Sequence, residues 1–284
     1  MAATRKVYRA SLSRKCLHFV GKLIGLVQAA GAYAFGWERN VPEVVRLAVK
    51  MPDLPKPFIG TRVVHFSDLH VGHYCGSADV KRVADLIRRE KPDLICFTGD
   101  LVEESAKGLS SIVAVLGELR APLGKYAVLG NHDYRAREQQ QVSKAWTSAG
   151  FEVLQNRHVR LNKMDSSIFI AGIDDALYGV PDLAMALDGI VEGQTVILLS
   201  HEADIADQAA AYPVRLQLSG HSHGGQVRLP FLGAILTPKL GEKYVQGLHR
   251  VSSRLQVYTT RGIGTTILPI RFLCRPELTV LTLI

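Results

Sequence analysis

Cysteine is scarce and scattered: Cys16, Cys75, Cys96 and Cys274 form no C-x-x-C pair. That argues against a disulfide framework and against a thiolate zinc site. Neither an internal repeat nor a low-complexity run interrupts the chain. Acid is missing from the first 22 residues, which carry Arg5, Lys6, Arg9, Arg14, Lys15 and Lys22. Those six account for most of the formal net charge of +8, leaving about +2 for the rest. A body so near neutral lacks the basic stripe of a nucleic-acid binder, so nucleic acid is not an expected partner. What remains is ordinary: 284 residues, 47% hydrophobic and 21% charged. That is enough for one large domain or two small ones, without staples.

Residues 23–37 carry no charge and follow the basic tail. Three membrane-related readings fit. From Cys16 to Trp37 only Lys22 interrupts, close to the ~20 apolar residues of a spanning anchor, and the positive-inside rule would then leave the body outside the cytoplasm. A basic region, a short apolar region and Ala32-Tyr33-Ala34 also make a cleavable export signal. Finally, Arg14, His18 and Lys22 recur at helical spacing, with Leu17, Val20, Ile24 and Val27 on another face, as in a helix lying in the membrane plane. A surface helix packed on the domain is the plain alternative. Pro42, Pro52, Pro55 and Pro57 mark residues 38–60 as an extended connector. The expected division is thus 1–37 basic tail plus apolar membrane or export segment, 38–60 connector and 61–284 main domain.

The body alternates strands and helices. Strands are expected at 61–66, 93–98 and 125–129, and helices near 77–90, 107–120 and 136–149. Such units imply a largely parallel, buried sheet. Strands then dominate at 152–155, 158–162, 168–173, 195–200, 214–218, 225–229, 255–260 and 278–283, with helices near 181–188 and 203–211. The pattern predicts an α/β fold of two packed sheets with helices outside.

Polar residues gather at strand ends, where ligands bind in open α/β sheets. Asp68 and His70, two apart, can project together, and carboxylate with imidazole suits a borderline divalent metal. Gly99-Asp100 leaves an aspartate after a tight exit, although a helix cap would look the same. Gly130-Asn131-His132-Asp133 strings amide, imidazole and carboxylate together, although Asn and Asp also favour turns. His201 follows an apolar strand, where a lone histidine is usually structural. Gly220-His221-Ser222-His223-Gly224-Gly225 places two imidazoles among three glycines, a compact metal clamp.

Taken together, D-x-H, G-D, G-N-H-D, H and G-H-x-H, in that order, resemble the calcineurin-like metallophosphoesterase superfamily. Trp37-Glu38, Leu54-Pro55, Gly224-Gly225-Gln226-Val227, Thr260-Arg261-Gly262-Ile263-Gly264 and Arg275-Pro276-Glu277 extend the likeness to its bacterial YaeI/YkuE-type phosphodiesterase branch. The resemblance implies a four-layer α-β-β-α sandwich of two mixed sheets. It implies that Asp68, His70 and His223 hold one metal, that Asn131, His201 and His221 hold a second, and that Asp100 bridges them. Water held between the two ions would be the nucleophile. His132 would be no ligand but would reach the leaving or a non-bridging oxygen. Asp133 either orients that imidazole or makes plain turn hydrogen bonds. Oxygen and imidazole donors without thiolate favour manganese, iron or zinc over magnesium or calcium.

Other polar residues have weaker claims. Arg261 is the leading candidate to hold a phosphate, by its fork geometry; Arg271 and Arg275 follow. His73 could line the rim. His65 reads as structural, His18, His158 and His249 as surface residues, and Asp174-Asp175 as a turn. The expected activity is hydrolysis of a small or lipid-linked phosphodiester. A lipid-pathway pyrophosphatase resembling UDP-diacylglucosamine hydrolase is the alternative. A non-catalytic metal-bound scaffold for partners is a third reading, and the full motif set weighs against it.

Overall fold

The computed structural model describes residues 22, 25, 28–135 and 137–284. Most of the N-terminal segment read as a membrane or export element lies outside the described residues. Among those described, no helix is long and apolar enough to cross a membrane.

Two six-stranded sheets carry the fold. The first has the order β1 (Glu43–Val49), β14 (Glu277–Leu283), β2 (Arg62–Phe66), β3 (Leu94–Thr98), β4 (Lys125–Val128) and β5 (Glu152–Val153). Strands β2 to β5 are parallel; β14 runs antiparallel to β2, and β1 parallel to β14. The second has the order β12 (Gly247–Arg250), β13 (Gln256–Thr259), β9 (Val214–Ser219), β8 (Val196–Leu199), β7 (Ser166–Gly172) and β6 (Arg157–Lys163). Its four inner strands are parallel, with antiparallel edges at β12 and β6. A small hairpin pairs β10 (Arg228–Leu229) with β11 (Gly233–Ala234).

Side-chain alternation makes the layers. In β3, Leu94 and Cys96 join the core shared by the two sheets, while Ile95 and Phe97 join the core beneath the helices. In β8, Ile197 and Leu199 face the shared core, and Val196 and Leu198 face a third, outer one. Sheets buried on both faces need continuous apolar strands, which is what the sequence supplies. Helices α1 (Ser77–Arg89), α2 (Leu109–Gly117), α3 (Asn131–Arg135) and α4 (Gln139–Ser148) cover the first sheet. Short helices α5 (Leu183–Ala186) and α6 (Ala206–Ala209) cover the second. In α1, Val80, Val83, Ala84 and Ile87 make one buried stripe, and the Asp79 carboxylate accepts from the Gly76 N–H at 2.9 Å to close its first turn. The result is a four-layer α-β-β-α sandwich of two mixed sheets.

Three local expectations change. Residues 38–60, read as an extended connector, contain β1, because alternating side chains of Glu43–Val49 find an open edge on β14. Residues 225–229, read as a strand, start with a tight turn at His223–Gly225 and leave only Arg228–Leu229 extended. Positive φ at Gly224, Gly225 and Gln226 explains the break. Strand β12, absent from the expected set, forms against β13.

Candidate metal centre

Five strand ends deliver the expected site residues to one place. Asp68 and His70 follow β2, Asp100 follows β3, Asn131 and His132 open α3 after β4, His201 follows β8, and His221 and His223 follow β9. The turns are unusually strained. Asp68, His70, Asp100, His221 and His223 all have φ between 47° and 68°. That left-handed region costs a residue with a Cβ about 1–2 kcal/mol, and such residues gather where function holds them. Glycine makes the approaches possible: a Cβ at Gly220 would strike Ser67 and Asp68, and one at Gly99 would come within 2.8 Å of His201 Cγ.

The loops are laced together. The Asp68 N–H donates to Gly99 O at 2.9 Å, and the Gly220 N–H to His201 O at 3.0 Å. The buried Asp133 carboxylate accepts from the N–H groups of Asp100 (3.1 Å), Leu101 (2.9 Å), Val102 (3.2 Å) and Gly130 (3.0 Å). Of the two readings of Asp133, this supports the turn: it shapes the Asp100 and Asn131 loops. The imidazole of His132 is held instead by Glu103, whose main-chain oxygen lies 3.2 Å from Nδ1 and whose carboxylate lies 3.4 Å away.

Donor atoms converge in two groups around Asp100. Its Oδ2 lies 3.6 Å from His70 Nε2 and 3.2 Å from His201 Nε2. On the first side, His70 Nε2 is 3.0 Å from His223 Nε2, which is 3.4 Å from Asp68 Oδ1. On the second, His201 Nε2 is 3.1 Å from Asn131 Oδ1 and 3.2 Å from His221 Nδ1. Atoms sharing one ion at about 2.0–2.2 Å stand about 3 Å or slightly more apart, so the set fits bound cations. Asp68, His70 and His223 form one group with metal-holding spacing; Asp68, Asp100 and His201 form another; His70, Asp100 and His132 form a third. Outward nitrogens are anchored: His201 Nδ1 on Thr98 O (2.6 Å), His221 Nε2 on Lys239 O (2.9 Å) and His70 Nδ1 on Glu103 Oε2 (2.5 Å). Each anchor turns the other nitrogen inward with its lone pair.

The electrostatics show the same demand for positive charge. Burial pushes the Asp100 carboxyl up, yet the charge and hydrogen bond of His201, then the charge of His70, hold it well below the usual range. Burial likewise disfavours a proton on His201, but the Asp100 and Asp68 charges raise it well above the ordinary histidine value. Burial, with the neighbouring charges of His70 and Arg271, keeps His223 well below it. Burial and the charge of His201 bring His221 down to about 4. The proton that Asp100 and Asp68 hold on His201 is the charge a divalent cation would replace, while His221 and His223 stay neutral, as ligands must.

Other candidates sort differently. Arg261 is tied by ion pairs to Glu277 (2.5 Å) and Glu43 (2.8 Å), so its fork is engaged within the fold. Arg271 is fully buried, with Nη2 bonded to Gly264 O at 2.6 Å and 3.4 Å from His223 Nδ1. Arg275 donates to Val41 O. His65 is buried and hydrogen-bonded to Thr98 Oγ1 at 2.8 Å. His158 and His249 bond to main-chain oxygens, Asp174 and Asp175 bind turn N–H groups, and His73 is exposed. Cys75, Cys96 and Cys274 are free and buried. Glu103 was not anticipated; its signal is an acid three residues after Asp100.

Comparison with known proteins agrees with this geometry. Residues 61–225 match the family model of the calcineurin-like phosphoesterases. The chain is 39% identical over 264 residues to the metallophosphoesterase YkuE of Bacillus subtilis (strain 168), covering 91% of this chain and 92% of that one. It is 32% identical over 268 residues to a transmembrane protein with metallophosphoesterase domain of Danio rerio, covering 90% of this chain but 58% of that one. With phosphodiesterase YaeI of Escherichia coli (strain K12) it shares 29% identity over 226 residues, 78% of this chain and 82% of that one.

Proposed function

The chain belongs to the calcineurin-like phosphoesterase family, and from that premise we propose that it is a phosphodiesterase using two divalent cations. The observation that carries this reading is the position of Asp100, one carboxylate oxygen of which faces His70 on one side and His201 on the other. Asp68, His70 and His223 would hold one ion, Asn131, His201 and His221 the second, and Asp100 both. The ions would be manganese, iron or zinc. When bound, they supply Lewis-acid polarisation of phosphoryl oxygens and acidify water.

The chain's own residues do the rest. Thr98, Lys239 and Glu103 hold three imidazoles in the orientation that turns a lone pair inward. His132 donates Nδ1–H to Glu103 O, which aims Nε2 at the centre, and in its imidazolium form it offers Nε2–H to the leaving oxygen as general acid. The Asp133 carboxylate fixes the loops that carry Asp100 and Asn131. Residues 1–37 serve as a membrane or export segment, a reading supported by the tail's six cations and by the relative named as a transmembrane protein. The substrate is a small or lipid-linked phosphodiester.

The test uses the full chain, stripped of metal, with bis-p-nitrophenyl phosphate beside the monoester. Cleavage of the diester that requires added manganese, iron or zinc supports the reading. A metal-loaded chain that cleaves neither ester, or only the monoester, contradicts it.

A further inference from the structure

Three segments that contain no acid meet beside the metal centre: residues 28–37, 226–241 and 261–276. The Arg228 N–H donates to Phe272 O and the Phe272 N–H to Gln226 O, both at 2.9 Å. The Phe272 ring meets Tyr33 edge-on at 6.1 Å, and the Arg271 N–H reaches Ala34 O at 3.2 Å. Both loops are rooted on site residues. Lys239 O accepts from His221, and Thr266 bonds to Glu103, which pairs with His70.

What these segments present outward is apolar. In the hairpin loop Phe231 is fully exposed and Leu232 and Leu236 are 79% exposed; in the second loop Ile267 is 88% exposed. Ile235 and Leu268 are more than half exposed, as is Phe35 in the first segment. Folding does not require this, and Phe231 and Ile267 even hold left-handed φ values of 67° and 63°. Apolar side chains exposed together on the strained tips of two hydrogen-bonded loops mark an interaction site. The accompanying charge is positive: Lys239 is exposed, Arg228 is half-buried, and Arg275 lies 5.8 Å from the exposed Trp37 ring. Apolar tips with lysine, arginine and tryptophan suit the boundary of an anionic bilayer. The sequence that precedes the first segment agrees, because residues 1–21 carry five cations (Arg5, Lys6, Arg9, Arg14 and Lys15) and no acid.

We infer that this face docks onto an anionic lipid leaflet, with the 231–236 loop and Ile267–Leu268 inserted among the headgroups. The metal centre then opens at the membrane surface and takes phosphoesters of amphiphiles from it; this last part rests on the phosphodiesterase reading above.

The experiment uses the full chain carrying Cys16→Ser and Phe231→Cys, labelled with an environment-sensitive dye; the other three cysteines are buried. Vesicles contain phosphatidylcholine with or without phosphatidylglycerol. A blue shift and protection from aqueous quencher on the phosphatidylglycerol vesicles alone is the expected result. Protein that floats with vesicles while the dye stays aqueous overturns the inference, because the N-terminal segment would then bind alone. A shift that follows protein concentration without vesicles also overturns it, assigning the face to a second copy. In parallel, the variant Phe231→Ser/Leu232→Ser/Ile267→Ser should keep wild-type turnover of soluble bis-p-nitrophenyl phosphate. It should lose about tenfold or more on a long-chain alkyl p-nitrophenyl phosphodiester in the same vesicles. Equal loss on both substrates contradicts docking. Absence of turnover even in the wild type sinks the phosphodiesterase reading and leaves the dye result to decide docking.

Discussion

Glu103 Oε2 lies 2.5 Å from Nδ1 of His70 and fixes which nitrogen of that imidazole faces the centre. The same carboxylate stands 3.4 Å from His132 Nδ1. One acid therefore orients both a proposed ligand and the proposed proton donor. Glu103→Ala should weaken metal binding by about 10–100-fold, read by titration of the stripped chain, whereas Glu103→Asp should recover part of it. Unchanged affinity in Glu103→Ala would remove this role.

His132 touches the centre without completing either ion's donor set in the proposed assignment. His132→Ala should keep the bound metal and the wild-type melting temperature while turnover falls by about 10²–10⁴-fold. Wild-type turnover in this variant would show that no general acid acts from this position.

Asp133 accepts four buried main-chain N–H groups. Asp133→Ala would leave those donors unpaired, so urea unfolding should show a loss of roughly 2–4 kcal/mol. Asp133→Asn, which retains an acceptor oxygen, should lose less. Equal losses would mean that the charge matters more than the hydrogen bonds.

His65 gives a pH signature separate from the metal centre. Burial holds its imidazole down to about 3. The unfolded chain takes up that proton near the ordinary value of 6.5, and the folded chain only near 3. Its contribution is therefore complete above the unfolded value and is lost as the pH falls from 6.5 toward 3, by up to ~1.4 kcal/mol per pH unit. In unfolding experiments the stability gap between the wild type and His65→Asn should narrow below about pH 6.5. A gap that stays constant down to about pH 5 would show that His65 is not buried as a neutral ring.

Legibility in the sequence followed the range of the interaction. Runs such as Leu94–Thr98 and Val196–Leu199 read as buried strands because both of their faces are covered. The proposed ligands were visible because each follows such a run. Edge pairing was not visible: β1 meets β14 across more than 200 residues, and prolines on either side gave the segment the look of a connector. Arg261 had the right chemistry for phosphate, but its pairing with Glu43 depends on that same distant edge. The roles of Asp133 and Glu103 lie in loop-to-loop hydrogen bonds, and left-handed φ at non-glycine residues leaves no mark in composition.

The proposal depends most directly on how many ions the centre holds. The full chain, stripped, reloaded with manganese and passed through a desalting column, can be analysed for metal per polypeptide by mass spectrometry. The account predicts two ions in the wild type and in His132→Ala, and fewer than two in Asp100→Ala, which removes the proposed shared carboxylate. One ion or none in the wild type, or an undiminished pair in Asp100→Ala, would contradict it.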